Sequence, residues 1–312
     1  MEINAKRINE LAKKMGFIRD NLEKMARLLQ MLEVLFASPW KDKLVLKGGT
    51  AINLFYAGLP RLSVDIDLDY CGASKEETMK DKAAIADFVS GALLPLGYRL
   101  SDAGKTYYAL DSFVLNYVNT AGNQDNVKIE INYLDRSHIL PIQVSQADVV
   151  GIRGDSQVRF LAPEELYGSK IAALLSRGKP RDLFDVCHAL ENGIIAATPM
   201  LRKCALFYDC IGGKNLAISR EPFDFINLTK RDFQRMLLPM LQKGVSFHHE
   251  EAISKVSSFL TQLFQFENGE TEFARRFASK DYCPDLLFDD SEILKRIQNH
   301  PMALWRTRKE GD

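Results

Sequence analysis

The sequence changes its hydrophobic period at Pro163, and that change constrains the fold more than any other feature. Upstream, helical stretches are interleaved with segments in which apolar residues alternate one by one, the period of a strand with one buried face. Downstream, apolar residues recur every three or four positions, the period of amphipathic helices. The expected class is α+β, with an N-terminal domain over residues 1–160 that carries its own leading helices and a helical domain over 161–312.

Residues 3–37 read as helical, with Ile8, Leu11, Met15 and Ile18, then Leu22, Met25, Leu28, Leu29, Leu32 and Leu35, in phase; Pro39 ends the run. A short strand over 44–46 enters Lys47-Gly48-Gly49-Thr50, and a short helix over 51–56 follows until Gly58 and Pro60. Residues 64–68 alternate as a strand, 75–94 read as a helix, and strands are expected at 98–100, 106–118, 127–134 and 158–161. The Gly122-Asn123 pair suggests a hairpin between the two long strands. Beyond Pro163, helices are expected at 164–176, 182–191, 198–208, 229–242, 250–266 and 291–298, with breaks or kinks at Pro199, Pro222, Pro239, Pro284 and Pro301.

Composition excludes several classes. Forty-one basic residues balance 41 acidic ones, so any polyanion contact must come from a local patch. The five cysteines form no Cys-x-x-Cys pair and the five histidines have no zinc-ligand spacing to them, which argues against a zinc site or a disulfide framework. No stretch approaches the roughly 20 consecutive apolar residues of a membrane span, and residues 1–14 are charged throughout without an apolar signal core. A cytoplasmic protein with no membrane contact is expected.

The chemistry concentrates around Val64-Asp65-Ile66-Asp67-Leu68. In a strand, Asp65 and Asp67 project from one face while Val64, Ile66 and Leu68 enter the core, and Asp69 continues the acidic row. Like charges along one face repel, and a hard divalent cation such as Mg²⁺ would relieve that repulsion. A solvated strand face is the competing reading. Upstream, Gly48-Gly49-Thr50 sits between a strand and a helix, where glycines admit a phosphate to backbone N–H groups, although an ordinary tight turn has the same form. A third carboxylate is expected on a neighbouring strand. Glu130 lies on the polar face of 127–134 between Lys128 and Asn132, and a Lys128-compensated surface charge is its alternative. Three carboxylates could hold two metal ions for in-line displacement at phosphorus.

Lys170 and Arg177 lie seven residues apart on one expected helix, a cationic stripe suited to triphosphate or simply to solvent. Lys179 and Arg181 follow in the turn, where either could pair with Asp185. Asp182 stands near the start of the next helix, where it could cap. Strand tyrosines 107, 108 and 117 could stack on a base, but packing is the commoner use.

Lys47-Gly48-Gly49-Thr50-Ala51 followed by Arg61-Leu62-Ser63-Val64-Asp65-Ile66-Asp67-Leu68 closely resembles the AbiEii / MenT-like nucleotidyltransferases. Leu161-Ala162-Pro163-Glu164-Glu165-Leu166 with Lys170-Ile171-Ala172-Ala173-Leu174, then Arg177-Gly178-Lys179-Pro180-Arg181-Asp182-Leu183-Phe184-Asp185-Val186, resembles the second signature of that family. These are toxins of toxin–antitoxin and abortive-infection systems within the DNA polymerase β-type superfamily. The resemblance implies a mixed-sheet nucleotidyltransferase core and a helical domain that completes the cleft. It implies Asp65 and Asp67 as the metal-binding pair, with Glu130 the third carboxylate by position. Gly48, Gly49 and Thr50 would hold a nucleoside triphosphate, with Thr50, Ser63 or backbone replacing the serine that the wider superfamily carries after its glycine. Arg61 and Ser63 would touch phosphate, with a salt bridge from Arg61 that locks the loop as the alternative; Lys170 and Arg177 would neutralise charge, and Asp182 would orient Lys170 or the nucleotide.

The expected function is Mg²⁺-dependent transfer of a nucleoside monophosphate from NTP to an acceptor hydroxyl. The acceptor implied is RNA, such as a tRNA 3′ end, and the partner implied is an antitoxin encoded nearby. A non-catalytic nucleotide- or protein-binding module on the same scaffold is the alternative, and a metal-dependent phosphohydrolase a third reading.

Overall fold

The computed structural model describes residues 3–149, 152–213 and 223–308, and Pro222 lies outside them. It divides into two compact units. The first comprises Met1–Arg136, Ile142–Phe160 and Pro239–Val245, and the second Ser137–Pro141, Leu161–Leu238 and Ser246–Asp312. The division departs from a single cut after residue 160 in two places, and both have visible causes.

In the first unit, Gly16 adopts a left-handed conformation (φ 72°) and ends α1 (Ala5–Met15). The expected 3–37 helix is therefore two, with α2 spanning Arg19–Phe36. Leu22, Met25, Leu28, Leu29, Met31, Leu32 and Leu35 of α2 are buried, and α2 packs on a sheet of eight strands among the described residues, against β2 (Asp65–Tyr70), β6 (Gln124–Asn132) and β8 (Ile152–Phe160). Those strands are β1 (Leu44–Lys47), β2 (Asp65–Tyr70), β3 (Arg99–Leu100), β4 (Lys105–Thr106), β5 (Leu110–Val118), β6 (Gln124–Asn132), β7 (Gln143–Val149) and β8 (Ile152–Phe160). Between them run α3 (Gly48–Ala51), which continues in π-helical geometry through Ile52–Tyr56, and α4 (Lys75–Leu93).

The sheet order is β3-β5-β6-β2-β1-β8-β7, with β4 also paired to β5. The β2–β6 and β1–β8 pairs are parallel and the rest antiparallel, so the sheet is mixed. Strand β7 was not expected, and the 106–118 strand is two, β4 and β5. Segment 239–245 joins this unit because Leu62 N–H donates to Met240 O (2.8 Å), Lys243 N–H donates to Gly16 O (2.6 Å), and Arg61 bridges Leu241.

The second unit is helical: α5 (Pro163–Arg177), α6 (Pro180–Glu191), α7 (Pro199–Gly212), α8 (Lys230–Met236), α9 (His249–Leu263), α10 (Asn268–Ala278), α11 (Ser291–Ile297) and α12 (Pro301–Thr307). The expected 229–242 helix stops at Met236, and α10 and α12 were not expected. Gly168 lets α5 pass close to α7, since a Cβ there would stand 2.6 Å from the Cys204 Cβ. Cys204, Phe207, Phe273, Ile293 and Ile297 belong to the buried core.

Segment 137–141 joins this unit because Glu165, fully buried, accepts hydrogen bonds from the N–H groups of Ile139 (2.8 Å) and Leu140 (2.7 Å) and from the Tyr208 hydroxyl (2.8 Å). Burial alone would raise the Glu165 pKa, but His138 and those two amides hold it below the usual glutamate range. Among the described residues no helix is long and apolar enough to cross a membrane.

Candidate active site

Strand register assembles the acidic face of the first unit. Asp67 of β2 lies opposite Lys47 of antiparallel β1 and beside Glu130 of parallel β6, while Asp65 lies beside Lys128. Paired residues on neighbouring strands share a face, so Lys47, Asp65, Asp67, Lys128 and Glu130 all project from one side. Ile66, Leu68, Ile129 and Ile131 are buried on the other, which pins the register because a one-residue slip would exchange the two sets. The Asp65, Asp67 and Glu130 side chains are all partly exposed.

The glycine turn is built against this face. Gly48 has φ 69°, and a Cβ there would overlap the Asp67 carboxylate. At Gly49 a Cβ would stand 2.7 Å from Arg61 Nη2 and 3.2 Å from Ser63 Oγ. Both glycines are therefore required by close approach of side chains that the sequence had singled out. Asn53 Nδ2 donates to the Gly49 carbonyl (2.6 Å), while Asn53 Oδ1 is buried without a hydrogen-bond partner among the described residues.

Thr50 is fully buried, and its hydroxyl donates to the Asp65 carbonyl (2.5 Å). That bond ties the turn to β2 and commits the hydroxyl proton that the sequence reading offered to phosphate. Arg61 is only 2% exposed and donates through Nη1 to the Leu62 carbonyl (2.9 Å), placing it behind the turn. Ser63 is buried beside it.

Glu130 is registered next to Asp67, yet its carboxylate is 2.7 Å from the Lys128 ammonium. Among the described residues no three His, Cys, Asp or Glu side chains stand close enough to enclose a metal ion. A closed cage is not what Mg²⁺ requires: it keeps several waters and is commonly bound by one or two carboxylates together with substrate phosphates. Asp65 and Asp67 supply such an all-oxygen pair, and the missing Cβ at Gly48 leaves room beside Asp67. The donor set fits a hard divalent cation.

In the second unit, α5 and α6 bring four charges together. Lys170, 6% exposed, has its Nζ 2.8 Å from Asp182 Oδ1 and 3.2 Å from Asp185 Oδ2. Arg177 donates through Nε and Nη2 to the two oxygens of Asp182 (2.7 and 3.0 Å). Burial would raise the Asp182 pKa, but Lys170 and Arg177 outweigh it and hold the carboxyl well below the usual range. The cationic stripe expected from spacing is thus met by two carboxylates, because a buried ammonium without counter-charge costs several kcal/mol. Asp185, for which Lys179 or Arg181 was the expected partner, also reaches Lys170.

Several residues of the acidic face escaped the sequence reading. Lys47 carries salt bridges to Asp69 (2.5 Å) and Asp135 (3.1 Å), which could not be found without strand register, and Asn53 donates four residues back along its own helical segment to Gly49. Of the tyrosines considered for base stacking, Tyr117 is buried, whereas Tyr107 and Tyr108 are exposed.

The profile of the AbiEii family, described as nucleotidyl transferase AbiEii toxin of type IV toxin–antitoxin systems, matches residues 30–257. Among solved structures, MenT4, a nucleotidyltransferase toxin from Mycobacterium tuberculosis H37Rv, is similar with a TM-score of 0.65 and 16% identity, over 99% of this chain and 100% of that one. A putative nucleotidyltransferase from H. pylori is similar with a TM-score of 0.47 and 20% identity, over 77% of this chain and 93% of that one. Comparison with curated proteins gives no match.

Proposed function

The chain belongs to the AbiEii nucleotidyl transferase toxin family of type IV toxin–antitoxin systems, and from that premise we propose that it transfers a nucleoside monophosphate from NTP to an acceptor hydroxyl, with Asp65 and Asp67 as the Mg²⁺ ligands. The observation that supports this reading best is the parallel register that sets Asp67 beside Glu130, with the Gly48 turn packed on the Asp67 carboxylate.

The acceptor hydroxyl attacks the α-phosphorus and pyrophosphate leaves. Backbone N–H groups of Gly48 and Gly49 receive the triphosphate, whose negative charge suits the start of a helix. Thr50 fixes the turn to Asp65 rather than donating to phosphate. Arg61 and Ser63, buried against Gly49, are assigned to holding the turn that receives the triphosphate. Mg²⁺, one or two ions, would polarise the phosphate oxygens and stabilise the charge that develops as pyrophosphate departs. Glu130 is assigned as the third carboxylate, acting once Lys128 is drawn off it. On the second family signature, Lys170 and Arg177 are assigned to neutralising the triphosphate, with Asp182 orienting them.

The acceptor assigned is RNA, with a tRNA 3′ end the first candidate, in the cytoplasm. The cognate antitoxin would be encoded beside the toxin.

The test is incubation with Mg²⁺, each labelled NTP and total tRNA. Label should enter RNA with the wild type and not with Asp67→Ala. Nucleotide binding without transfer would make the protein a binding module, and release of inorganic phosphate without a labelled product would make it a phosphohydrolase.

A further inference from the structure

The first unit holds a second polar concavity, none of whose walls belongs to the acidic face. A cavity of about 440 Å³ lies among the end of α2, the loop that leads from it to β1, and the β7–β8 hairpin, and Phe36, Lys41, Asp42, Val144, Gln157 and Arg159 line it. That volume falls within the range of small-ligand pockets. Strand register sets one wall: Arg159 of β8 is paired with Val144 of β7, the last strand of the sheet, so both project from the same face.

The charges of this cavity lack counter-charges. Among the described residues Arg159 makes no ion pair, and its Nη1 is buried without a hydrogen-bond partner. A guanidinium presents five N–H donors in a planar fork that matches phosphate, and a buried donor left unmade is costly. Lys41 and Asp42, both exposed, likewise make no ion pair among the described residues. Two cations against one carboxylate leave the cavity net positive.

Asp42 would repel a phosphate that came alone. It is suited to a phosphate that brings a sugar, because a carboxylate accepts from a ribose hydroxyl. Phe36 is only 2% exposed and offers a base no stacking face, so the donor set recognises phosphate and ribose rather than base identity. The cavity is also near the proposed metal ligands. Phe160 of β8 is registered beside Leu46 of β1, and Lys47 beside Asp67 of β2. Two strand spacings and two residues of rise put the Arg159 backbone on the order of 12 Å from that of Asp67. A stacked nucleic-acid strand covers that span in about three or four nucleotides.

We propose that this cavity holds one nucleotide unit of the acceptor RNA, its phosphate on Arg159 and Lys41 and a ribose hydroxyl on Asp42. The inference rests on the reading that the acceptor is RNA.

Fluorescence anisotropy tests it, with a labelled single-stranded RNA carrying a tRNA 3′-end sequence, the DNA counterpart, and labelled AMP as a separate probe. Arg159→Ala should weaken RNA binding about tenfold or more, the scale of one charge-assisted contact. It should also lower the slope of log affinity against log salt by about 0.7, the loss of one phosphate contact on a single strand. Lys41→Ala, at an exposed position, should lower the slope similarly without moving the thermal midpoint. Asp42→Ala should reduce the preference for RNA over DNA, which only the 2′-hydroxyl distinguishes at the sugar.

In the transfer assay, Arg159→Ala should raise KM for RNA about tenfold, with smaller effects on kcat and on KM for NTP. Wild-type RNA affinity and salt slope in both Arg159→Ala and Lys41→Ala would overturn the inference. Should Arg159→Ala not fold, a wild-type slope in Lys41→Ala would overturn it alone. Loss of AMP binding in the variants with RNA binding intact would make this a free-nucleotide site and overturn the RNA assignment. A wild-type protein that binds RNA through Arg159 but transfers no label would instead sink the nucleotidyl-transfer reading and leave the cavity's role standing.

Discussion

Replacing Gly48 by alanine should damage transfer far more than stability, and Gly58 supplies the control. Gly48 and Gly58 have φ 69° and 67°, so alanine pays the same left-handed backbone cost at both, about 1–2 kcal/mol. For a unit of this size that lowers the thermal midpoint by about 2–4 °C per kcal/mol. The two positions differ in what the methyl group meets. At Gly58 nothing lies within 4 Å, whereas at Gly48 the new Cβ overlaps the Asp67 carboxylate and stands 3.2 Å from its Cβ and Cγ. The carboxylate must move by about 1 Å, a displacement that can cost roughly a hundredfold in rate at a reacting centre. The assay is label transfer to RNA alongside thermal melts of both variants. Gly58→Ala should keep activity within about twofold, and Gly48→Ala should lose about a hundredfold or more at a similar midpoint. Equal activities in the two variants would refute the argument that the turn and Asp67 form one site.

Asp65→Asn should abolish Mg²⁺-dependent transfer while leaving the midpoint of the metal-free protein unchanged or raised, because repulsion with Asp67 is relieved; melts without and with Mg²⁺ check both halves. Thr50→Val removes the donor to the Asp65 carbonyl and should cost about 1 kcal/mol or more by denaturant titration, with Thr50→Ser close to wild type. Asp182 is held below its unfolded pKa, so its contribution is present above about pH 4 and is lost as pH falls through the folded value. Asp182→Asn should therefore be less stable at pH 7, and its stability should fall less steeply below about pH 4 than that of the wild type, measured by urea midpoints across pH.

Local pattern carried much of the fold. Strict alternation at Val64–Leu68 and around Ile129 can satisfy only a strand with one buried face, and the helical period after Pro163 has only one reading. What failed was local pattern overruled by tertiary partners. Strand β7 carries polar Gln143, Ser145 and Gln146 and gains its place by pairing with β8, not from hydrophobic alternation. Helix α10 carries a local signal of its own, the reciprocal cap between Glu267 and Glu270. The 229–242 helix stops early because Met240 and Leu241 are drawn into backbone pairing with Leu62 and Arg61.

The site divides the same way. Gly48, Gly49, Asp65 and Asp67 were legible because turn and strand geometry alone put them on one chain segment. Lys47 with Asp69 and Asp135, and the commitment of the Thr50 hydroxyl to β2, depend on which residues face each other across strands and loops distant in sequence. Motif spacing holds no such information.

The most direct measurement is mass analysis of RNA from cells expressing the wild-type chain or Asp67→Ala at matched levels. The account predicts nucleotides added to an RNA terminus with the wild type and none with the variant. Identical RNA masses in both, from cells in which the wild-type chain is folded and arrests growth, would contradict it.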